Sequence, residues 1–484
     1  MTRSLAFSAL RWTLAGSIAQ RLVTFGAVSG IARIISETEY GAYRQLLSLH
    51  LIFFVLLPLG FDQLYIREVE RRSQFARLMA GALTVASGLV MAVMLAGHQV
   101  ISGWMKFETW SGMLWVFAAI VPVQAWKVFY KTELAARLNY RSISLGETLY
   151  ACVTGGGGLA LVLLWPTAWS LYIAYACAEL AELTWLRLES RLALPAWRDA
   201  LREFWQNAHR WKRFGLFHCG MQVLNAIGGN APVIIFGAAV SKSSAAAFSM
   251  ANYLVTVPIY ILIGALHRVA YSALAGLSRE QLVAPILKML EQAAAFIVPG
   301  LILLMFLARP AVLIVLGESW VDGTAPIVQM VAGFCIFVAL FSPISSIDLL
   351  LDRPDYGFYW NVGATAVRVA AVLLGLRYGT TEAVAAYCAA SAVVWFVWGA
   401  LLGRLLGAGQ WTFHRAWLKL LPMWAALAAM LYFVDAAVAG LNMGKHTTAV
   451  VQIALGCVAG GIYGGGIWLC WPGLVKSAIE IVKR

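Results

Sequence analysis

Arg21 lies in the middle of an apolar segment long enough to cross a bilayer. With Thr13, Ser17, Gln20 and Thr24 it falls in the series i, i+4, i+7, i+8, i+11, which on a helix is a single polar stripe. A charge at bilayer depth costs about 3 kcal/mol or more, so such a residue normally faces a protein interior or a watery cavity. A guanidinium presents a planar fork of donors suited to phosphate oxygens. The stripe therefore suits a chain that holds something polar inside the membrane. The competing reading is a structural ion pair with a carboxylate such as Asp62.

A second segment repeats the pattern. His218, Gln222, Asn225 and Gly229 are spaced like Thr13, Ser17, Gln20 and Thr24. Asn252, between Ser249 and Thr256, gives a milder stripe, and Arg368 supplies another mid-segment cation. These residues form the candidate substrate site, with Trp360 and Tyr253 as aromatic faces for sugars. Asp62, Glu147 and Asp348 are candidates for charge pairing or ion coupling, and Glu179, Glu182 and Asp435 also lie within or near apolar runs. His218 could titrate near neutrality, though a lone histidine on a helix is more often a packing residue. The glycines from Gly155 to Gly158 lack the G-x-x-x-x-G-K-[ST] context of a phosphate loop; close helix packing, or else a hinge, accounts for them. The seven cysteines form no C-x-x-C pair, so neither a metal site nor disulfides are expected. No cofactor and no catalytic residues are expected either.

These residues must be positioned by membrane helices. Of 484 residues, 61% are hydrophobic and 12% charged, about half the charge of a soluble domain. Mean hydropathy is +0.77, and the apolar runs extend from end to end. The expected fold is an all-α polytopic membrane protein with about fourteen transmembrane helices. The spans fall near 8–34, 44–66, 77–97, 111–130, 143–165, 167–186, 214–238, 245–266, 284–307, 326–350, 357–376, 383–403, 418–438 and 448–470. The net charge of +13 would suggest nucleic acid in a soluble protein; here it sets orientation, and no nucleic-acid partner is expected. With the N-terminus inside, alternate links collect the basic residues, among them Arg67 to Arg77, Lys127 to Arg141, and Arg187 to Arg213. Both termini then face the cytoplasm.

The halves look alike. Ser36–Tyr43 lies opposite Ser241–Phe248, each a short outer turn entering the next span with an aromatic residue. The domain reading is a six-helix bundle over 1–190, a basic amphipathic cytoplasmic linker over 191–213, a second six-helix bundle over 214–405, and two further helices with a cytoplasmic tail over 406–484.

Four blocks carry a family resemblance. They are Arg11-Trp12 through Ala32-Arg33-Ile34-Ile35 to Tyr40-Gly41-Ala42-Tyr43; Leu59-Gly60-Phe61-Asp62; Leu138-Asn139-Tyr140-Arg141-Ser142-Ile143-Ser144; and Leu316-Gly317-Glu318-Ser319-Trp320 through Pro326. In order and spacing, across most of 8–403, the chain resembles polysaccharide-transport flippases of the multidrug/oligosaccharidyl-lipid/polysaccharide exporter superfamily. The resemblance implies a V-shaped, MATE-like core of two pseudo-symmetric bundles plus two extra helices. It implies a bacterial inner-membrane protein that moves undecaprenyl-pyrophosphate-linked sugar units from the inner to the outer leaflet, with Arg21 near the pyrophosphate. Membrane lipids, a polysaccharide polymerase and chain-length proteins are the partners it suggests. One departure stands out. Where many relatives read N-x-D in the seventh span, this chain has Asn230-Ala231-Pro232.

Two rival functions remain. An exporter of small cationic or amphipathic compounds would favour an acidic cavity, whereas Arg21 and Arg368 are basic. A membrane glycosyltransferase or polymerase would need a larger extramembrane loop, and no D-x-D pair is present.

Overall fold

The computed structural model describes residues 3–67, 72–192, 195–207, 209, 212–274, 277–342, 354–441 and 443–473, and its described residues are helical almost throughout. In chain order the α-helices are α1 (Arg3–Ala32), α2 (Glu37–Phe54), α3 (Phe61–Arg67), α4 (Arg72–Trp104), α5 (Gly112–Ala136), α6 (Tyr140–Ala151), α7 (Gly158–Leu164), α8 (Ala168–Ser190), α9 (Trp197–Asn207) and α10 (Lys212–Ala239). There follow α11 (Lys242–Leu274), α12 (Val283–Phe296), α13 (Val298–Phe306), α14 (Ala308–Val315), α15 (Val321–Phe341), α16 (Pro354–Gly375), α17 (Thr380–Leu405), α18 (Thr412–Leu418), α19 (Leu421–Ala439) and α20 (Lys445–Cys470). Among the described residues, ten helical stretches are long and apolar enough to cross a membrane. This is an all-α membrane protein.

Local chemistry explains the breaks. Ser36 caps α2 by accepting a hydrogen bond from the Glu39 amide, and Glu37 and Glu39 sit in the first turn, where the helix dipole favours negative charge. The 44–66 segment does not run as one helix. Leu59 and Gly60 adopt positive φ angles of 47° and 80° and divide it into α2 and α3. Asn139 caps α6. The glycine run lies in a π-helical stretch, Cys152–Gly157, joining α6 to α7. There Gly155 is buried against α1, and an added Cβ would come within 2.9 Å of Ala27. The close packing expected of this run is present at Gly155, within a π-helical turn.

The contacts divide the chain into two compact units, residues 1–246 with 354–365, and residues 247–353 with 366–484. In the first, α1 lies on α6 and α7, α8 on α5 and α6, α4 on α5 and α9, and α10 on α2. In the second, α15 packs on α13 and α17. The closing pair, α19 and α20, docks on α13 and α14. Trp424 Nε1 donates to the Ala294 carbonyl at 3.2 Å, and the Tyr463 hydroxyl donates to that of Ala295 at 3.3 Å.

Candidate functional site

The stripe on α1 begins with local geometry. Thr24 Oγ1 donates back to the Gln20 carbonyl at 2.7 Å. The Gln20 side chain reaches across to α6, where Nε2 donates to Glu147 Oε2 at 3.0 Å. Arg21, one residue on, is half-buried, and among the described residues no carboxylate lies within ion-pair distance of it. Ser17 is half-buried on the same stripe. Asp62 interacts electrostatically with His218 of α10 rather than pairing with Arg21. The Leu59–Gly60 turn makes that neighbourhood possible, because Gly60 sits against Gly215 and His218.

Glu147 leads into a charged cluster inside the first unit. Lys131 Nζ lies 2.5 Å from Glu147 Oε1 and 4.0 Å from Glu182. Lys127 Nζ lies 2.6 Å from Glu179 and 3.1 Å from Glu182, and 5.1 Å from the centre of the Tyr150 ring. The side chains of Lys127, Glu179 and Glu182 are nearly sealed off, whereas those of Lys131 and Glu147 are 39% and 31% exposed. The cluster therefore runs from a closed end on α5 and α8 to an accessible end beside Gln20. Its neighbours are polar as well. His50 is hydrogen-bonded to Gln124, whose amide donates to the Tyr175 hydroxyl at 2.7 Å. Charges in such a place persist only when paired and hydrogen-bonded. Lys127 and Lys131, which the positive-inside reading assigns to an inner link, lie instead within α5. The signal was present in the sequence as two pairs, Lys127 with Lys131 at i,i+4 and Glu179 with Glu182 at i,i+3, each on one helix face.

At the other end of these helices a lysine is buried, and among the described residues no carboxylate lies in ion-pair reach of it. Lys242, the first residue of α11, donates to the Gln45 side chain, to the Met105 carbonyl at 2.6 Å and to the Gly237 carbonyl at 3.2 Å. The Phe107 and Trp110 rings flank it at 5.2 and 6.0 Å. Burial pulls its pKa down from 10.5 to about 8, which Glu108 partly opposes. Gly41 makes this approach possible, since a Cβ there would lie 1.8 Å from the Lys242 carbonyl oxygen. Glu39 ties the same end together, accepting from Trp110 Nε1 at 3.1 Å and from the Ala168 amide at 2.7 Å.

The remaining candidates are placed as follows. Gln222 and Asn225 are exposed on α10, in the same unit as Arg21. Asn230 Nδ2 donates to the Ala226 carbonyl at 2.9 Å. Asn252 and Arg368 are half-buried in the second unit. The Asn252 carbonyl accepts from Thr256 at 2.6 Å, and Arg368 interacts electrostatically with Tyr387. Trp360 is half-buried in the first unit and Tyr253 in the second. Asp348 lies outside the described residues.

Comparison with known proteins decides the family. The family model described as "Polysaccharide biosynthesis protein" matches residues 31–325. The chain belongs to that family. Among its relatives are the teichuronic acid biosynthesis protein TuaB of Bacillus subtilis, 21% identical with 93% of each chain covered, and the succinoglycan biosynthesis transport protein ExoT of Rhizobium meliloti, 23% identical with 100% of this chain and 96% of ExoT covered. The lipopolysaccharide biosynthesis protein WzxC of Escherichia coli is 22% identical over about half of each chain. In fold, this polysaccharide biosynthesis protein is similar to the lipid II flippase MurJ in an inward closed conformation (TM-score 0.77, 13% identity, 94% of this chain and 98% of MurJ). It is also similar to an inward-facing MATE family transporter of the MOP superfamily (TM-score 0.66, 15% identity, 80% and 95%). The protein is thus a multi-pass membrane protein of polysaccharide biosynthesis, with a MurJ- and MATE-like fold.

Proposed function

We propose that this protein carries undecaprenyl-pyrophosphate-linked oligosaccharide units from the inner to the outer leaflet of the bacterial inner membrane by alternating access. The observation that carries the reading is Arg21, a half-buried guanidinium on a long, largely apolar helix, with no carboxylate in ion-pair reach among the described residues. A doubly charged pyrophosphate complements such a group, and the fork of donors binds its oxygens. Gln20, Ser17, Thr24, Gln222 and Asn225 then serve sugar hydroxyls, with His218 beside them. The polyprenyl tail stays in lipid, no bond is made or broken, and no cofactor is involved. Polymerase and chain-length proteins act on the delivered unit.

The names of similar proteins support this reading: one relative is a succinoglycan biosynthesis transport protein, and a structure of similar fold is a lipid II flippase. The test is complementation of a deletion strain. Arg21→Ala is expected to lower surface polysaccharide at least tenfold at unchanged membrane abundance, with Arg21→Lys intermediate, because an ammonium keeps the charge but loses the bidentate geometry. Full surface polymer in Arg21→Ala removes Arg21 from the mechanism.

A further inference from the structure

The helix α9 has two unlike faces. Its inner face packs on α4: Ala200 is buried against Gly81, and Phe204 meets Phe61 with ring centres 6.2 Å apart. Glu203 accepts from Gln74 Nε2 at 2.9 Å and lies 4.0 Å from Arg77. Its outer face is built differently. Trp197 and Trp205 are 60% and 71% exposed, and Arg198 and Arg202 are exposed between them. At 100° per residue these four side chains spread over a face of about 140°, and the tryptophans stand about 12 Å apart along the helix. The Arg198 guanidinium lies 5.2 Å from the Trp197 ring centre. Asp199 is the sole acidic residue on α9 besides Glu203, which the inner face engages.

The depth of this face follows from α4. That helix has 33 residues, about 50 Å of rise against a hydrocarbon core of about 30 Å, so an end of it reaches the headgroup layer. The helix α9 packs on its first turns, at Gln74, Arg77 and Gly81. Arg187 and Arg191, both exposed, precede α9 in the chain and extend the positive charge. Exposed tryptophans next to arginines at headgroup depth match an anionic lipid surface in polarity and in charge. Indole rings favour the interface, and each basic residue near such a surface contributes about fivefold in affinity.

We propose that the Trp197–Arg198–Arg202–Trp205 face of α9 is a binding site for anionic phospholipid headgroups of the adjoining leaflet. The site is separate from the transported glycan and does not depend on its identity.

The test uses the full-length protein in detergent micelles with defined amounts of phosphatidylglycerol and phosphatidylcholine, read by native mass spectrometry. The wild type should retain phosphatidylglycerol in preference to phosphatidylcholine. Arg198→Gln with Arg202→Gln should weaken phosphatidylglycerol binding by roughly 20-fold, while the double lysine variant keeps the preference. A photoactivatable phosphatidylglycerol should label the 197–207 peptide of the unmodified protein, so the proposal can be tested even if the glutamine variant folds poorly. Retention of phosphatidylglycerol by a folded glutamine variant at the wild-type level, or labelling that bypasses α9, overturns the proposal. Adducts indifferent to headgroup charge overturn it equally.

Discussion

Lys127 has two carboxylates within 3.1 Å and almost no solvent. Removing one member of a buried ion pair leaves the other uncompensated, at a cost of about 3–5 kcal/mol. Lys127→Met should therefore lower the melting temperature of the purified protein markedly, and pairing it with Glu179→Gln should restore part of the loss. An unchanged melting curve for the single variant would mean that the cluster is wetter than its burial implies. Glu147 is a different case, being half-exposed and shared between Lys131 and Gln20. Glu147→Gln preserves the shape but loses the charge. It should reduce polysaccharide export more than it reduces stability, because it removes the charge that holds Lys131 beside Gln20, the neighbour of Arg21; equal losses in both measurements would make Glu147 purely structural. The stripe on α1 was legible in the sequence because it is local, a matter of spacing on one helix. The cluster was legible only as two separate pairs, because the partners of Lys127 lie on α8, and a basic residue near the end of an apolar run looks like a loop residue until its distant carboxylates are seen.

At the scale of elements, the end held by Lys242 joins α2, α10, α11 and the α4–α5 turn through carbonyl oxygens and one glutamine. Gly41→Val would place atoms where the Lys242 carbonyl lies and force α2 away, with an expected cost of about 1–3 kcal/mol. The lysine also sets a pH dependence. Its pKa in the folded state, about 8, lies below the ordinary 10.5, so the unfolded chain binds more protons between those values. Stability from this group must then rise as pH increases from about 8 to 10.5. The melting temperature of the wild type should gain on that of Lys242→Met across this window; parallel curves would show that Lys242 titrates normally. Helix positions were legible because apolar runs of bilayer length have few alternatives in a membrane. The break at Leu59–Gly60 was not, since a positive φ at a leucine leaves no mark in hydropathy.

For the whole molecule the open quantity is the number of crossings. Ten stretches qualify by length and hydropathy among the described residues, and α1, α2, α8 and α11 stand outside that set although each has at least 18 residues. All four carry internal charge: Arg21 in α1, Arg44 in α2, Glu179 with Glu182 in α8, and Arg268 in α11. In α2 and α8 these charges lower hydropathy without shortening the helix, so a helix that carries functional charge can be passed over by hydropathy alone. Counting all four as spans gives about fourteen crossings with both termini on the cytoplasmic side, in accord with the basic links. The alternation makes this easy to break. If α8 failed to cross, the link carrying Arg191, Arg198 and Arg202 would emerge on the outer face, and every later link would invert with it. Alkaline phosphatase fused after residue 207 should be inactive, and fused after residue 377 active, because the enzyme folds only outside the cytoplasm, where its disulfides can form. The opposite activities at both sites would mean an odd number of crossings before α9, and a flippase reading built on two six-helix halves would lose its frame.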